Sequence, residues 1–129
     1  MIAVDTNIIV RLLTKDDPIQ YKKAHALFKA SPIFISATVL LETEWVLRFC
    51  YEFSQLKIND ALTKLIGLPN IKVDKPNALP AALALHQQGA DFSDALHLAQ
   101  AAHCDVFYTF DKKFITQAKN NELCPVQKP

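Results

Sequence analysis

Short apolar runs alternate along the chain with longer segments in which apolar residues recur every three or four positions. A short apolar run is typical of a buried strand, and the longer spacing is typical of a helix with one buried face. The strands predicted in this way are 2–4, 33–36, 71–73 and 106–110, with a weaker candidate at 124–127. The predicted helices are 7–14, 18–30, 37–51, 55–66, 77–89, one that Asp91 or Ser93 caps and that runs to 103, and 111–121.

Strands that alternate with helices indicate an α/β fold, in which a parallel sheet carries helices on both faces. No repeat and no long linker divides the 129 residues, so we expect a single domain over 1–129. In sheets of this kind ligands bind beyond the carboxyl ends of the strands. The residues that follow each predicted strand are therefore the first candidates for a functional site.

Composition narrows the class of protein without giving a function. The chain is 50% hydrophobic and 21% charged, as in an ordinary soluble globule, and we expect no membrane span and no signal peptide. Cys50, Cys104 and Cys124 are widely spaced and fit buried thiols of a reducing cytoplasm. With only two glycines, Gly67 and Gly89, the chain has neither a GxGxxG turn nor a Walker-type phosphate loop. This excludes dinucleotide-dependent oxidoreductases and P-loop nucleotide hydrolases.

Two predicted strands are followed directly by a carboxylate. Asp5 ends the first strand, and Asp111 follows the strand 106–110. A carboxylate at the edge of an apolar core is costly unless a hydrogen bond or a cation compensates its charge. Each of the two also fits as the N-cap of the helix behind it, so a structural role stays open for both.

The helix after the second strand adds two glutamates that are not equivalent. Glu44 has Arg48 four residues further on, which is the spacing of a surface ion pair. Glu42 instead shares its stripe of the helix with Val39 and Val46, and a lone glutamate on an apolar face needs a partner. We therefore favour Glu42 as the functional residue of the two.

The segment DFSDALHLAQA places Asp91 and Asp94 three residues apart at the start of a helix. A carboxylate at either position caps the helix or interacts favourably with its dipole, which is the structural interpretation of both. Four carboxylates at one edge of a sheet, however, repel one another unless a cation is bound. Oxygen ligands without histidine or cysteine suit Mg²⁺ or Mn²⁺, which stabilise charge on phosphoryl oxygens and activate water.

Four motifs, taken in order, resemble those of the PIN domain family and more narrowly those of VapC-type toxin ribonucleases of toxin–antitoxin pairs. They are VDTN at the start, ISATVLLETEW after the second strand, DFSDALHLAQA late in the chain and YTFDKKF near its end. The resemblance covers nearly the whole sequence. It implies a PIN-like three-layer α/β fold, with a central, mostly parallel sheet of about five strands and helices on both faces.

The resemblance also implies a function: a cytoplasmic endoribonuclease that uses Mg²⁺ or Mn²⁺ to hydrolyse RNA, that forms a homodimer and that is bound by a cognate antitoxin protein. The catalytic and metal-binding acids carried over by motif are Asp5, Glu42, Asp94 and Asp111. The supporting positions are Thr6, Asn7, Asp91, which supports the metal through water, and Thr109. Apart from the resemblance, four cations flank the acidic segments and are candidates for contacts with RNA phosphates, with the two lysines favoured because they adjoin Asp111: Arg11, Arg48, Lys112 and Lys113.

Two alternatives to the nuclease stay open. A PIN-like protein that has lost catalysis serves as an RNA- or protein-binding module, although such a loss usually removes acids and all four are present here. A Mg²⁺-dependent phosphatase forms an aspartyl-phosphate at Asp5, but such enzymes generally need a second aspartate where this chain has Asn7. The sequence also leaves open whether Glu44 rather than Glu42 faces the site.

Overall fold

A computed structural model of the chain describes residues 1–129 and contains seven helices and five short strands. Helices and strands alternate over most of the chain, so the predicted α/β class is confirmed. No helix is both long and apolar enough to cross a membrane. The strands are β1 (Ile2–Ala3), β2 (Ile33–Ile35), β3 (Ile71–Val73), β4 (Phe107–Tyr108) and β5 (Val126–Gln127). The helices are α1 (Thr6–Thr14), α2 (Pro18–Ala30), α3 (Ala37–Phe49), α4 (Gln55–Ile66), α5 (Leu79–Gln87), α6 (Phe92–Gln100) and α7 (Lys112–Gln117).

The chain divides into two compact units, a first unit of Met1–Asp74 and a second unit of Lys75–Pro129. The first unit holds a parallel sheet in the order β1-β2-β3, in which Ile33 lies opposite both Ile2 and Ile71. Parallel neighbours need long crossover connections. Helices α1 and α2 supply the first crossover, and α3 and α4 supply the second.

The core of the first unit is made by branched apolar side chains from its sheet and helices. Ile33 and Ile35 of β2 are fully buried, as are Ile9 of α1 and Leu47 of α3. Helix α1 packs against both α2 and α3. This packing fixes the start of α1 and the middle of α3, which carry the two predicted acids of this unit.

The second unit has its own apolar cluster, in which Leu98 of α6 and Phe114 of α7 are almost completely buried. Phe107 of β4 packs edge-on against Phe114, with 6.1 Å between the ring centroids. Strand β4 pairs in parallel with β5, so that Phe107 lies opposite Val126. Because Phe114 is anchored in this cluster, the start of α7 directly behind Asp111 is fixed as well.

The prediction of a central sheet of about five strands is wrong. The sheet has three strands, and β4 and β5 form a separate two-stranded pair. The apolar pattern correctly located all five strands, but a pattern within one segment does not say which other segment it pairs with. With only two residues each, β4 and β5 also give little register information.

Helix starts follow the predicted caps closely. Asp5 accepts a hydrogen bond from the Thr6 amide at 2.7 Å, and Asp111 accepts one from the Phe114 amide at 3.1 Å. The capping interpretation of both aspartates is therefore confirmed. Gly89 follows α5 with a φ of 110°, a conformation that glycine adopts without strain, and it ends that helix as predicted.

Several helices are shorter than predicted. Helix α3 ends at Phe49, α5 spans Leu79–Gln87, α6 ends at Gln100 and α7 ends at Gln117. Apolar residues continue beyond some of these ends, and periodicity alone does not locate a helix terminus that lacks a strong stop signal.

The cysteines only partly fit the expectation of buried thiols. All three are free, but only Cys124 is buried, whereas Cys50 and Cys104 are exposed. Both exposed thiols follow the end of a helix, where the chain has left the core.

Candidate functional site

A cavity of about 380 Å³ in the first unit is lined by residues from the start of α1 and from α3. Two of the four predicted acids, Asp5 and Glu42, line it, together with the predicted supporting residues Thr6 and Asn7. Arg11, one turn further along α1, lines it as well. The remaining lining residues are Val10, Val46, Cys50 and Tyr51.

Asp5 lies at this cavity as an exposed residue, which corrects the expectation of a carboxylate at the edge of a buried strand. In the segment before it, Ala3 is exposed and Val4 is buried. The Oδ1 atom of Asp5 accepts the capping hydrogen bond from the Thr6 amide. The cap and the solvent therefore compensate the charge without a compulsory partner, and the Oδ2 atom takes no part in the cap.

The hydroxyl of Thr6 is buried and unsatisfied. The residue is 5% exposed, and its Oγ1 atom has no hydrogen-bond partner. Buried polar groups are nearly always paired, and an unpaired one costs about 1–3 kcal/mol. Thr6 as a residue lines the cavity, and its unpaired hydroxyl is a candidate contact for a ligand there.

Of the two glutamates of α3, Glu42 lines the cavity and Glu44 does not. Glu44 is only 3% exposed and accepts hydrogen bonds from the Arg48 Nε and Nη2 atoms at 2.8 and 3.3 Å. The predicted ion pair exists, but its carboxylate is buried rather than at the surface. Glu42 is exposed and lines the cavity, and Phe49, on the same stripe, is 56% exposed. The apolar stripe that drew attention to Glu42 is therefore not a buried face.

The other predicted acids lie in the second unit. Asp91 caps α6 by accepting hydrogen bonds from the Asp94 amide at 3.2 Å and from the Ser93 hydroxyl. Burial raises the pKa of the Asp94 carboxyl above its ordinary value, and the negative charges of Asp91 and Asp111 raise it further, while His97 acts in the opposite direction. A cation bound at Asp94 would oppose all three effects that raise its pKa.

Asp111 is exposed, and its neighbours in the sequence include Thr109 on one side and Lys112 and Lys113 on the other. Its amide donates a hydrogen bond to the Thr109 hydroxyl at 3.1 Å, so Thr109 steadies the turn that presents Asp111. Lys112 and Lys113 follow it in the first turn of α7 and are both exposed. They take part in no ion pair within 4.0 Å, which leaves both ammonium groups accessible to an anionic ligand.

In each unit, taken by itself, the predicted acids fit a hard divalent cation in their chemistry. Asp5 and Glu42 in the first unit, and Asp94 and Asp111 in the second, offer carboxylate oxygens and no competing Lys or Arg partner within 4.0 Å. Mg²⁺ and Mn²⁺ prefer such ligands and keep several waters, so one or two carboxylates are enough to hold them. Within either unit, no three His, Cys, Asp or Glu side chains form a group that could hold a metal by themselves.

Sequence reasoning missed two residues beside the cavity. Tyr51 lies behind the end of α3 and lines the cavity, and its hydroxyl donates to Asp16 Oδ2 at 2.6 Å. The hydroxyl also accepts a hydrogen bond from Arg11 Nη1 at 3.0 Å. Asp16 and Tyr51 are 35 positions apart, so no local spacing in the sequence signals their contact.

Comparison with known protein families identifies one that the sequence matches. The family profile described as PIN domain matches residues 2–120, which includes all four predicted acids. No curated protein matches the sequence.

Proposed function

The chain belongs to the PIN domain family, and on that premise we propose that it is a metal-dependent endoribonuclease that hydrolyses RNA phosphodiester bonds. PIN domains are generally nucleases that act on RNA and use divalent metals, which supports the reaction class. The observation that carries the proposal is the cavity lined by Asp5 and Glu42 together with Thr6, whose buried hydroxyl has no hydrogen-bond partner.

The proposal assigns metal binding to carboxylates and leaves positioning to their neighbours. A divalent cation stabilises the negative charge that develops on the phosphoryl oxygens and activates water for attack. The proposed ligands are Asp5, Glu42, Asp94 and Asp111. The proposed supporting residues are Thr6, Asn7, Asp91 and Thr109.

The chain's own cations serve substrate binding in this proposal. Lys112 and Lys113 are exposed directly behind Asp111, where they are accessible to the phosphates that flank the scissile bond. Contacts of this kind position an RNA strand without reading its sequence. Arg11 belongs to the same class and lines the cavity of the first unit.

We further propose, from the resemblance of the four motifs, that the protein is the toxin of a toxin–antitoxin pair and acts in the cytoplasm. The resemblance also implies a homodimer, a cognate antitoxin protein that occupies the active-site groove, and a single domain over 1–129. Trp45 and Phe49 on α3 are 52% and 56% exposed, and their rings are in contact at a tilt of 49° with 5.0 Å between centroids, which favours a protein contact on this helix. Analytical ultracentrifugation of wild type and of Trp45→Ser over a range of concentrations tests the dimer.

The nuclease proposal is tested by incubating the purified chain with a labelled RNA pool in Mg²⁺, in Mn²⁺ and in EDTA. Cleavage should require the metal and should be lost in Asp94→Asn. Asp105→Asn is a matched control, since Asp105 is an exposed aspartate of the same unit that lies outside the four motifs. Cleavage at the wild-type rate by Asp94→Asn would show that the site is assigned wrongly.

Two further measurements on the same protein, RNA binding and phosphomonoester hydrolysis, separate the binding module from the phosphatase. RNA that is retained but never cut, by folded protein with either metal, supports the non-catalytic binding module. Hydrolysis of a small phosphomonoester without RNA cleavage supports the phosphatase, and Asp5→Asn should then abolish formation of the phosphorylated protein. The position of Asn7, two residues after Asp5, argues against that second outcome.

A further inference from the structure

Arg11 is held in one orientation by side chains from three segments of the first unit. Its Nε atom donates to Gln20 Oε1 on α2 at 2.7 Å. Its Nη1 atom donates to Asp16 Oδ1 in the loop before α2 at 3.2 Å and to the Tyr51 hydroxyl behind α3 at 3.0 Å. None of these bonds uses Nη2.

Tyr51 and Asp16 also bind each other, so the three side chains form a closed ring of hydrogen bonds. The Tyr51 hydroxyl donates to Asp16 Oδ2 at 2.6 Å, and the Thr14 hydroxyl donates to Asp16 Oδ1 at 2.8 Å. The hydrogen bond from Tyr51 holds the pKa of the Asp16 carboxyl below its ordinary value, and the bond from Thr14 adds to the effect. The lowered pKa extends the charge of Asp16, and with it the ion pair to Arg11, to more acidic pH than an ordinary aspartate would allow.

The ring should contribute little to the stability of the fold. The side chain of Arg11 is 30% exposed and that of Asp16 is 42% exposed, and an exposed pair contributes little stability. The ring instead fixes the orientation of Arg11. Because the guanidinium is planar, hydrogen bonds that hold its Nε and Nη1 atoms also fix the direction of Nη2. Arg11 and Tyr51 both line the cavity that contains Asp5 and Glu42.

We propose that Arg11 is a fixed phosphate-binding residue of this cavity, and that Tyr51 and Asp16 are positioning residues that orient its guanidinium toward an RNA phosphate. A planar guanidinium recognises phosphate oxygens through directed hydrogen bonds, whereas a flexible lysine acts as a point charge. The inference rests on the proposed function, which supplies RNA as the ligand. It adds an oriented contact to those proposed for the exposed lysines beside Asp111.

RNA binding measured in EDTA tests the inference without cleavage. The probe is a fluorescently labelled, single-stranded oligoribonucleotide of mixed sequence, and the readout is its dissociation constant from fluorescence anisotropy. Arg11→Gln should weaken binding about tenfold. The slope of log K against log salt should fall by about 0.7, because one phosphate contact is lost. Lys23→Gln is the matched control, since it removes an equal charge at an exposed position of α2 and should change binding little.

A double-mutant cycle separates positioning from a structural role. Tyr51→Phe removes only the hydroxyl and should weaken binding about threefold in the wild-type background. In the Arg11→Gln background it should have no effect, because the residue it positions is gone. Tyr21→Phe is the matched control, since the Tyr21 hydroxyl makes no hydrogen bond and its ring stays stacked against His25. Arg11→Lys should fail to restore wild-type affinity.

Three results overturn the inference. The first is an equal effect of Tyr51→Phe on RNA affinity in both backgrounds. The second is a lower melting temperature of the Arg11 and Tyr51 variants with unchanged RNA affinity. The third is a wild type that binds no RNA. Metal-dependent cleavage that is unaffected by these variants would support the proposed nuclease and disprove only the proposed Arg11 contact. If the wild type binds RNA through Arg11 but never cuts it, the Arg11 contact would be supported and the nuclease proposal disproved.

Discussion

At the scale of single residues, Asp5 and Asp111 show how one carboxylate serves a helix and remains available to a ligand. In each, Oδ1 accepts the amide hydrogen bond that caps the helix, from Thr6 in one case and from Phe114 in the other. The Oδ2 atom takes no part in the cap. Since the cap restricts the side chain, the second oxygen is presented in a defined direction. The capping and metal-binding interpretations are therefore compatible rather than competing.

Thr6→Val should separate the stability of the protein from its activity. Its buried hydroxyl has no partner, so replacement by a methyl group should leave the free energy of unfolding unchanged or raise it by up to about 1 kcal/mol. If the hydroxyl contacts the bound ligand, RNA cleavage should fall about tenfold. Urea denaturation and initial cleavage rates measure the two effects.

Thr43→Val is the matched control for this prediction. Thr43 is also fully buried, but its hydroxyl donates to the Val39 carbonyl at 2.7 Å. Its loss should destabilise the protein by about 1 kcal/mol and leave cleavage unchanged. Equal destabilisation by the Thr6 and Thr43 substitutions would show that the Thr6 hydroxyl has a structural partner in solution.

The three thiols should differ in reactivity. Burial raises the pKa of Cys124, and Cys104 adds to the effect, so less of the reactive thiolate is present at a given pH. Cys50 and Cys104 are exposed. A chromogenic disulfide reagent should therefore modify two thiols quickly and the third only on unfolding. Cys124→Ala should leave the fast amplitude unchanged, whereas Cys50→Ala should halve it.

At the scale of helices and strands, the sequence predicted what depends on local patterns. The caps Asp5 and Asp111, the stop at Gly89 and the alternation of helices with strands all follow from neighbouring residues. The surroundings of Glu42 and Glu44 did not, because both lie on α3 and only the packing of α3 against α1 and α4 decides which face is buried. The ion-pair spacing correctly paired Glu44 with Arg48, although it gave no sign that Glu44 is buried.

Arg48→Ala tests the buried ion pair of α3. It leaves Glu44, whose side chain is only 4% exposed, without its partner, which should destabilise the protein by about 2 kcal/mol. The loss should be smaller than for a fully buried pair, since the side chain of Arg48 is 43% exposed. Denaturant unfolding measures the change at constant pH.

Lys64→Ala provides the comparison, because Lys64 and Asp60 form a pair with the same spacing on α4. Their side chains are 77% and 64% exposed, so the cost should stay within about 0.5 kcal/mol. Similar losses in the Arg48 and Lys64 variants would mean that burial of Glu44 does not strengthen its pair.

At the scale of the whole molecule, the sequence located the segments but not their partners. Five apolar runs predicted five strands, yet only three join one sheet, because pairing is a long-range property that no single segment encodes. The same limit applies to the site. Motif order predicts the four acids, whereas the ring of Arg11, Asp16 and Tyr51 depends on contacts between distant segments that no spacing in the sequence indicates.

The division of the predicted acids between the two units gives the last prediction. Asp5 belongs to the first unit and Asp94 to the second. If both serve one reaction, Asp5→Asn and Asp94→Asn should each abolish RNA cleavage, and the double variant should be no worse than either alone. Each single variant should also lose much of the rise in melting temperature that Mn²⁺ gives the wild type, because a ligand stabilises only the state that binds it. Additive losses, or a variant of one unit that retains both cleavage and the Mn²⁺ effect, would show that the two units act separately.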